Sequence, residues 1–247
     1  AGELTEVQSR FFERKPFEEL YDLAADRDQV RNLAGEPAAR GQLATLRTVL
    51  DRHMLSVVDN GFIPEGLAIE GYEASRNKAA YPLPRIMALA GTAAAGEVSN
   101  LPALGKALSS ADPVARYWAA TGHLVLGARA ASGAGILAGL MREEPVPQVR
   151  IVAAEASAHL GTEPEAVAVL AGLANAEQSW QVRLQALNAL TALGEAARPA
   201  LSAFEAAAVG DQEYLRNAGR YMAAVLKGEY RPDFPVFDLK RMMRGAA

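Results

Sequence analysis

The 247-residue chain has no cysteine, which removes disulfides, Cys-ligated zinc, iron–sulfur clusters and thiol nucleophiles together. The redox compartment stays open. Histidines number three and aromatic residues make up 6%, so neither a histidine-rich metal site nor a core of large rings is expected. Lys and Arg do not outnumber Asp and Glu, and the net charge is −4. The cation excess that dominates non-specific affinity for nucleic acid is therefore missing, and no nucleic-acid partner is expected. No apolar run approaches the roughly 18 to 20 residues of a spanning helix, and residues 1–10 lack the charged, apolar and cleavable succession of a signal peptide. No membrane partner is expected either.

What the chain has in quantity is alanine, at 51 residues. Alanine is the best helix former and the smallest side chain that packs, so the composition points to closely approaching helices. The second half repeats. Arg116, Arg150, Arg183 and Arg216 are spaced by 34, 33 and 33 residues, and ten positions after each comes Leu126, Leu160, Leu193 or Leu226. Gly127, Gly161 and Gly194 follow the first three leucines directly. Counting from each arginine, offsets −1, +3, +4, +7 and +10 fall on one side of a helix, with the glycine at the position that ends it. Each of these segments is the second helix of a pair. The first helices are expected near 101–108, 136–141, 163–173 and 196–208, with Asp112-Pro113, Glu144-Pro145, Ser179 and Gly210-Asp211 marking the turns between. A pair of about 33 residues cannot bury its apolar face alone, so the units must stack.

The string Asp-Pro-x-Val-Arg-x-x-Ala-Ala followed by Leu-Gly, carried best by residues 112–127 and 146–161, resembles HEAT-like repeats, including the short form found in bilin-lyase-type repeats. The resemblance covers about 99–228 and implies an α-α superhelix, while leaving function open because such solenoids serve many tasks. In the last unit Gly219 and Arg220 stand in place of the paired alanines, as expected of a terminal cap.

The N-terminal third is different in kind. Alternation at Leu20, Tyr21, Asp22 and Leu23 predicts a short strand, followed by a turn at Asp26 and a long amphipathic helix over about 36–57 carrying Leu43, Leu46, Val49, Leu50 and Met54. Glu18-Glu19-Leu20-Tyr21-Asp22-Leu23, Asp26, Asn32-Leu33-Ala34 and Asn60-Gly61-Phe62-Ile63-Pro64-Glu65 together resemble the closing segment of bacterial sulfatases of the arylsulfatase, alkaline-phosphatase-like family. Arg27 stands where that family usually has proline, and Gln29 where it has glutamate. The family's nucleophile arises from a Cys/Ser-x-Pro-x-Arg motif and its calcium sits in a cluster of aspartates. Neither feature occurs here, so no catalytic, cofactor or metal residue carries over. The resemblance implies the C-terminal part of a longer protein, with calcium only in the missing catalytic domain, and a periplasmic or secreted setting.

The expected organisation is a sulfatase-like strand-and-helix segment (1–60), a connector and N-terminal cap of the solenoid (61–98), the HEAT-like repeats (99–228) and a capping tail (229–247). The fold class is all-α apart from the one strand. Offset +5 points away from the core and should line the concave face, placing Thr121, Glu155, Asn188 and Tyr221 there with Trp118 at the edge. These are the candidate binding residues. The arginine column admits two readings, braces for the turns or an anion ladder for a sulfated ligand. His53 and His159 read as surface or structural residues, and His123, at core-facing offset +7, is placed to bond Ser157 of the next unit.

Two functions compete. One is a non-catalytic interaction, assembly or substrate-presenting module of a sulfatase-like hydrolase, its partner a protein or the missing catalytic domain. The other is a free-standing lyase-like repeat enzyme or general protein-binding scaffold. Against an enzyme stands the want of acid–base clusters converging on one face. Two structural expectations remain. The segment 58–98 is rich in Gly and Pro but also in apolar residues, and should cap the first repeat, with a helix starting at Pro84 as the first solenoid layer. In the tail, Phe234, Phe237 and Leu239 should dock back on the last unit, with a docking motif at Lys240, Arg241 and Arg244 as the rival reading.

Overall fold

A computed structural model describes residues 3–13, 15–175 and 177–237. The chain divides into two compact units between Asp59 and Asn60. All regular structure among the described residues is helical.

The first unit opens on a one-turn helix, α1 (Glu6–Ser9), closed by a reciprocal cap between Thr5 and Gln8. The strand expected at 20–23 does not form. Its partner would have to be another strand, and instead the Asn32 side chain occupies that edge. Asn32 Oδ1 accepts from the Leu20 N–H (3.0 Å) and its Nδ2 donates to the Glu18 carbonyl (2.9 Å), while the Leu33 N–H reaches the Leu20 carbonyl (2.7 Å). One side chain thus satisfies the backbone without a ladder. The turn at Asp26 is real: its carboxylate accepts from the Val30 and Arg31 N–H groups (3.1 and 2.8 Å), and those bonds, Arg31's first, hold it below the usual carboxylate range. The long helix α2 (Arg40–Val57) follows and ends on Val58 in the left-handed region (φ 50°). A β-branched residue is strained there.

In the second unit, a one-turn helix α3 (Tyr72–Ser75) precedes α4 (Leu83–Ala94), and then come four helix pairs. The first helices are α5 (Leu101–Ala107), α7 (Ala134–Glu143), α9 (Glu163–Leu173) and α11 (Leu201–Ala208). The second helices are α6 (Pro113–Leu126), α8 (Pro147–Ser157), α10 (Trp180–Ala192) and α12 (Glu213–Lys227). Each second helix starts where its turn residue dictates: Asp112 caps the Val114 N–H, Ser179 the Val182 N–H and Gln212 the Leu215 N–H, while Pro113 and Pro147 occupy the first turn. Gly127, Gly161 and Gly194 all adopt positive φ and end the helix or the turn that extends it. Residues 113–143 are long and apolar enough in sum to cross a membrane, contrary to expectation. Gly127 and the non-helical Ala130 divide that stretch into α6 and α7.

The second helices stand side by side as a ladder in the order α4, α6, α8, α10, α12, with α5, α7, α9 and α11 packed against them. The helix beginning at Leu83 and Pro84 is thus the first layer of the solenoid. The paired positions at +3 and +4, Ala119 and Ala120, Ala153 and Ala154, Ala186 and Leu187, are fully buried. At the last unit the contact is closer still. A Cβ on Gly219 would lie 2.5 Å from both the Ala208 nitrogen and the Phe204 carbonyl oxygen, so this glycine sets the approach of α11 to α12.

Each arginine of the column faces backbone carbonyls at the turn inside its own pair. Arg150 Nε donates to the Met141 carbonyl (2.8 Å), Arg183 Nε to that of Ala174 (3.3 Å), and Arg216 Nη1 to those of Gly210 and Asp211 (both 3.0 Å). Arg116 does the same at Ser110 and Ala111 and also forks onto Glu144 (2.8 and 2.7 Å), which is buried at the next turn. That fork fastens two successive units. The arginines brace turns and are not aligned as an anion ladder.

Candidate binding face of the inner helices

The face of the ladder turned away from the first helices carries offsets −2, +2 and +5. It is not bare. Residues 60–70 form a closed loop, its ends joined by Asn60 Nδ2 to the Glu70 carbonyl (2.7 Å) and its tip turned at Gly66 (φ 79°), whose N–H donates to the Glu70 carboxylate (2.7 Å). This loop lies across three rungs. Trp118 Nε1 of α6 donates to the Phe62 carbonyl (2.8 Å), with the two rings 6.2 Å apart. The Glu65 carbonyl accepts from Gln148 of α8 (3.2 Å) and Gln185 of α10 (2.9 Å). Ile63 and Pro64 are buried by the contact. At the tip, a Cβ on Gly66 would meet the Gln181 side chain at 3.0 Å. The segment expected to cap the first repeat therefore reaches as far as the third pair.

The residues singled out from sequence separate into two groups. Trp118 is committed to the loop, and the Thr121 hydroxyl donates to the Tyr117 carbonyl (2.9 Å). Glu155, Asn188 and Tyr221 remain on the face, with Asn188 and Tyr221 exposed. Burial pushes the Glu155 carboxyl up to about 7. It lies near Tyr117, whose phenol is pushed up first by its own burial and then by the Glu155 charge. Sequence reasoning missed Gln148, Gln185 and the aromatic pair Trp180–Tyr214. These fall at −3, −2 and +2, and the signal was the column Val114, Gln148, Gln181, Tyr214 at offset −2, which turns aromatic at its last member. Trp180 and Tyr214 are stacked with ring planes 18° apart and centroids at 6.1 Å, and both are exposed.

The histidines act otherwise than expected at one point. His53 and His159 are exposed. His123 is buried, but its Nδ1–H donates to the Ala119 carbonyl of its own helix (2.8 Å), and the Ser157 hydroxyl is buried with no partner. The reason is room. Gly133 leaves open the space the imidazole fills, since a Cβ there would stand 2.4 Å from the ring, and the ring is drawn to that side.

In the tail, Tyr230 packs edge-on against Tyr221 (5.1 Å) and Phe234 against Tyr230 (6.1 Å). Phe237 is exposed, contrary to the expected docking. Leu239, Lys240, Arg241 and Arg244 lie outside the described residues.

Residues 133–223 match the family of HEAT repeats. A curated relative, the Ulvan-active sulfatase of Formosa agariphila, is 38% identical over 65 residues, which are 26% of this chain and 11% of that protein. The chain thus spans about a tenth of the length of that relative. No solved structure matches the chain. The stacked pairs over residues 133–223 are similar to HEAT repeats, and the chain carries a helical-repeat scaffold.

Proposed function

We propose that the chain is the non-catalytic, repeat-bearing part of a sulfatase-type hydrolase, in which the first unit completes a catalytic domain and the HEAT-like repeats serve as an interaction and assembly module. The observation that carries this reading is the first unit's want of a core. Only Ala39 and Leu43 are buried among its described residues, while Phe17, Leu46, Val49 and Leu50 stand exposed. They belong to one groove of about 590 Å³ between the 17–20 segment and α2. Apolar surface of that kind is the mark of an element made to be covered by a larger body. The limited identity to the Ulvan-active sulfatase supports the identity of that body.

The chemistry would lie in the covering domain, and this chain's contribution would be to close it and to present the repeats beside it. Mixing the chain with the polypeptide encoded upstream of it tests the reading. A complex that survives gel filtration, splits an aryl sulfate that the chain alone does not, and is lost in the Leu46→Glu/Leu50→Glu variant is the expected result. An upstream sequence without a Cys/Ser-x-Pro-x-Arg motif contradicts it.

A further inference from the structure

The apolar stripe is not the only part of the first unit left without a partner. In the segment 18–22 the Leu20 N–H and the Glu18 carbonyl are taken by the Asn32 side chain, and the Leu20 carbonyl by the Leu33 N–H. Residues 18 and 20 thus turn their main chain to one edge, as alternate residues of an extended chain do, which leaves Glu19 and Tyr21 on the other. The main-chain N–H and C=O groups of Glu19 and Tyr21 have no hydrogen bond among the described residues. This open edge borders the groove between 17–20 and α2, whose lining joins Glu18, Glu19 and Leu20 to Leu46, Val49 and Leu50 and includes neither Asn32 nor Leu33. Donors and acceptors in that order are complemented by another extended main chain.

We propose that the open edge at Glu19 and Tyr21 receives an extended segment of the covering domain by main-chain pairing, so that the domain is joined to this chain through backbone hydrogen bonds as well as through the apolar stripe. The inference rests on the reading that such a domain covers the first unit. The surroundings state the chemistry of the incoming segment. Laid along the edge it crosses the α2 groove, so its side chains on that side are apolar and cover Leu46, Val49 and Leu50, while those on the other side meet the exposed Glu19 carboxylate and are basic or polar. A second copy of this chain is a poor occupant. Paired antiparallel about Leu20, it would set each Glu18 opposite an Asp22, and like charges directly opposite weaken such a pair. Asn32 sets the limit of the device: its carboxamide fills the far edge, so the pairing ends at this segment and no bare edge is left to recruit further chains.

Proline separates edge pairing from a contact made by side chains alone. On an edge that stays open, proline at position 21 is tolerated, because the N–H it lacks has no bond to lose; on an edge that pairs, it deletes a donor. The full chain and its Tyr21→Pro and Tyr21→Ala variants are each titrated with the polypeptide encoded upstream, and amide exchange is read residue by residue in the free and bound native chain. Tyr21→Ala, which keeps the N–H, should bind within about threefold of the native chain, and Tyr21→Pro about tenfold or more weaker. The Glu19 and Tyr21 amides should exchange about a hundredfold or more slowly in the complex than in the free chain. Tyr21→Pro binding as tightly as the native chain, or those two amides keeping their free-chain rate in a stable complex, would overturn the edge pairing and leave the covering-domain reading standing. No binding by any of the three would overturn both. Self-association of the chain alone that Tyr21→Pro abolishes would overturn the choice of occupant.

Discussion

The two units are made of the same kinds of residue and use them in opposite ways. In the second unit, the paired small residues at +3 and +4 vanish from solvent and Glu144 is buried at its turn on the Arg116 guanidinium, whereas in the first unit apolar residues as large as leucine lie open. The difference lies in repetition. A helix pair that recurs finds its cover in the next copy. Helix α2 occurs once, and its apolar stripe of Leu46, Val49 and Leu50 has no second copy to meet. An exposed apolar stripe on a helix is thus a statement about a missing partner, while the same stripe in a repeat is a statement about stacking.

The same chemical change should therefore have different consequences in the two units. The largest contrast concerns Arg–Glu forks. Glu144→Gln leaves the largely buried Arg116 guanidinium without its countercharge, and the cost is expected at about 3–5 kcal/mol in urea unfolding. Removing Arg47 from Glu18, where the pair is bidentate but more exposed, should cost far less by the same measurement. In that exposed pair the bond from Arg47 holds Glu18 below the usual carboxylate range. Equal losses would mean that the first unit is as well buried as the second.

Glycine to alanine gives the next contrast. Gly219→Ala drives a methyl into the α11 backbone and should destabilise by about 1–3 kcal/mol. Gly41→Ala on α2 meets nothing within 4 Å and should stabilise by about 0.5 kcal/mol, if α2 is populated in the isolated chain. Thermal melts of both variants decide the sign.

A smaller effect depends on pH. Glu155 has a raised folded-state value of about 7 against an ordinary value of 4.5, so the folded state binds the proton more tightly than the unfolded chain does. Its contribution is fully present below about pH 4.5 and is lost as pH rises through 7. Glu155→Gln should remove that loss and raise stability at pH 8 by about 2 kcal/mol, with little change at pH 4. A stability gain that is the same at both pH values would contradict the assignment. Confined to one helix end, Val58→Gly relieves the left-handed strain after α2 and should raise the stability of that end by about 1 kcal/mol, read as slower amide exchange over residues 52–57.

The helix pairs were legible because the signal that makes them is local and recurs: the Arg, Leu and Gly register names where each second helix starts, packs and stops. The loop was not, because its bonds join residues 56 to 120 positions apart. Nothing in Gly61-Phe62-Ile63-Pro64 says which helices will receive its carbonyls, although its apolar content rightly argues against a solvated tether. The strand at 20–23 shows the converse. Alternation is a local signal, but a strand is a pair, and the partner edge went to the Asn32 side chain. Offset arithmetic placed His123 in the core correctly and its hydrogen bond wrongly, because the space beside Gly133 is a property of a neighbouring turn. The binding candidates fared in the same way: offset +5 found Glu155, Asn188 and Tyr221 on the ladder face, and could not reveal that Trp118 is spent on the loop.

The central claim is that the repeats are complete in themselves and the first unit is not. Hydrogen exchange on the isolated chain, resolved by peptide, tests it directly. Amides in α6, α8 and α10 should be protected to nearly the global unfolding free energy, while those in α2 exchange at close to the rate of an unfolded chain. Protection of α2 equal to that of the ladder helices, with no other polypeptide present, would contradict the account.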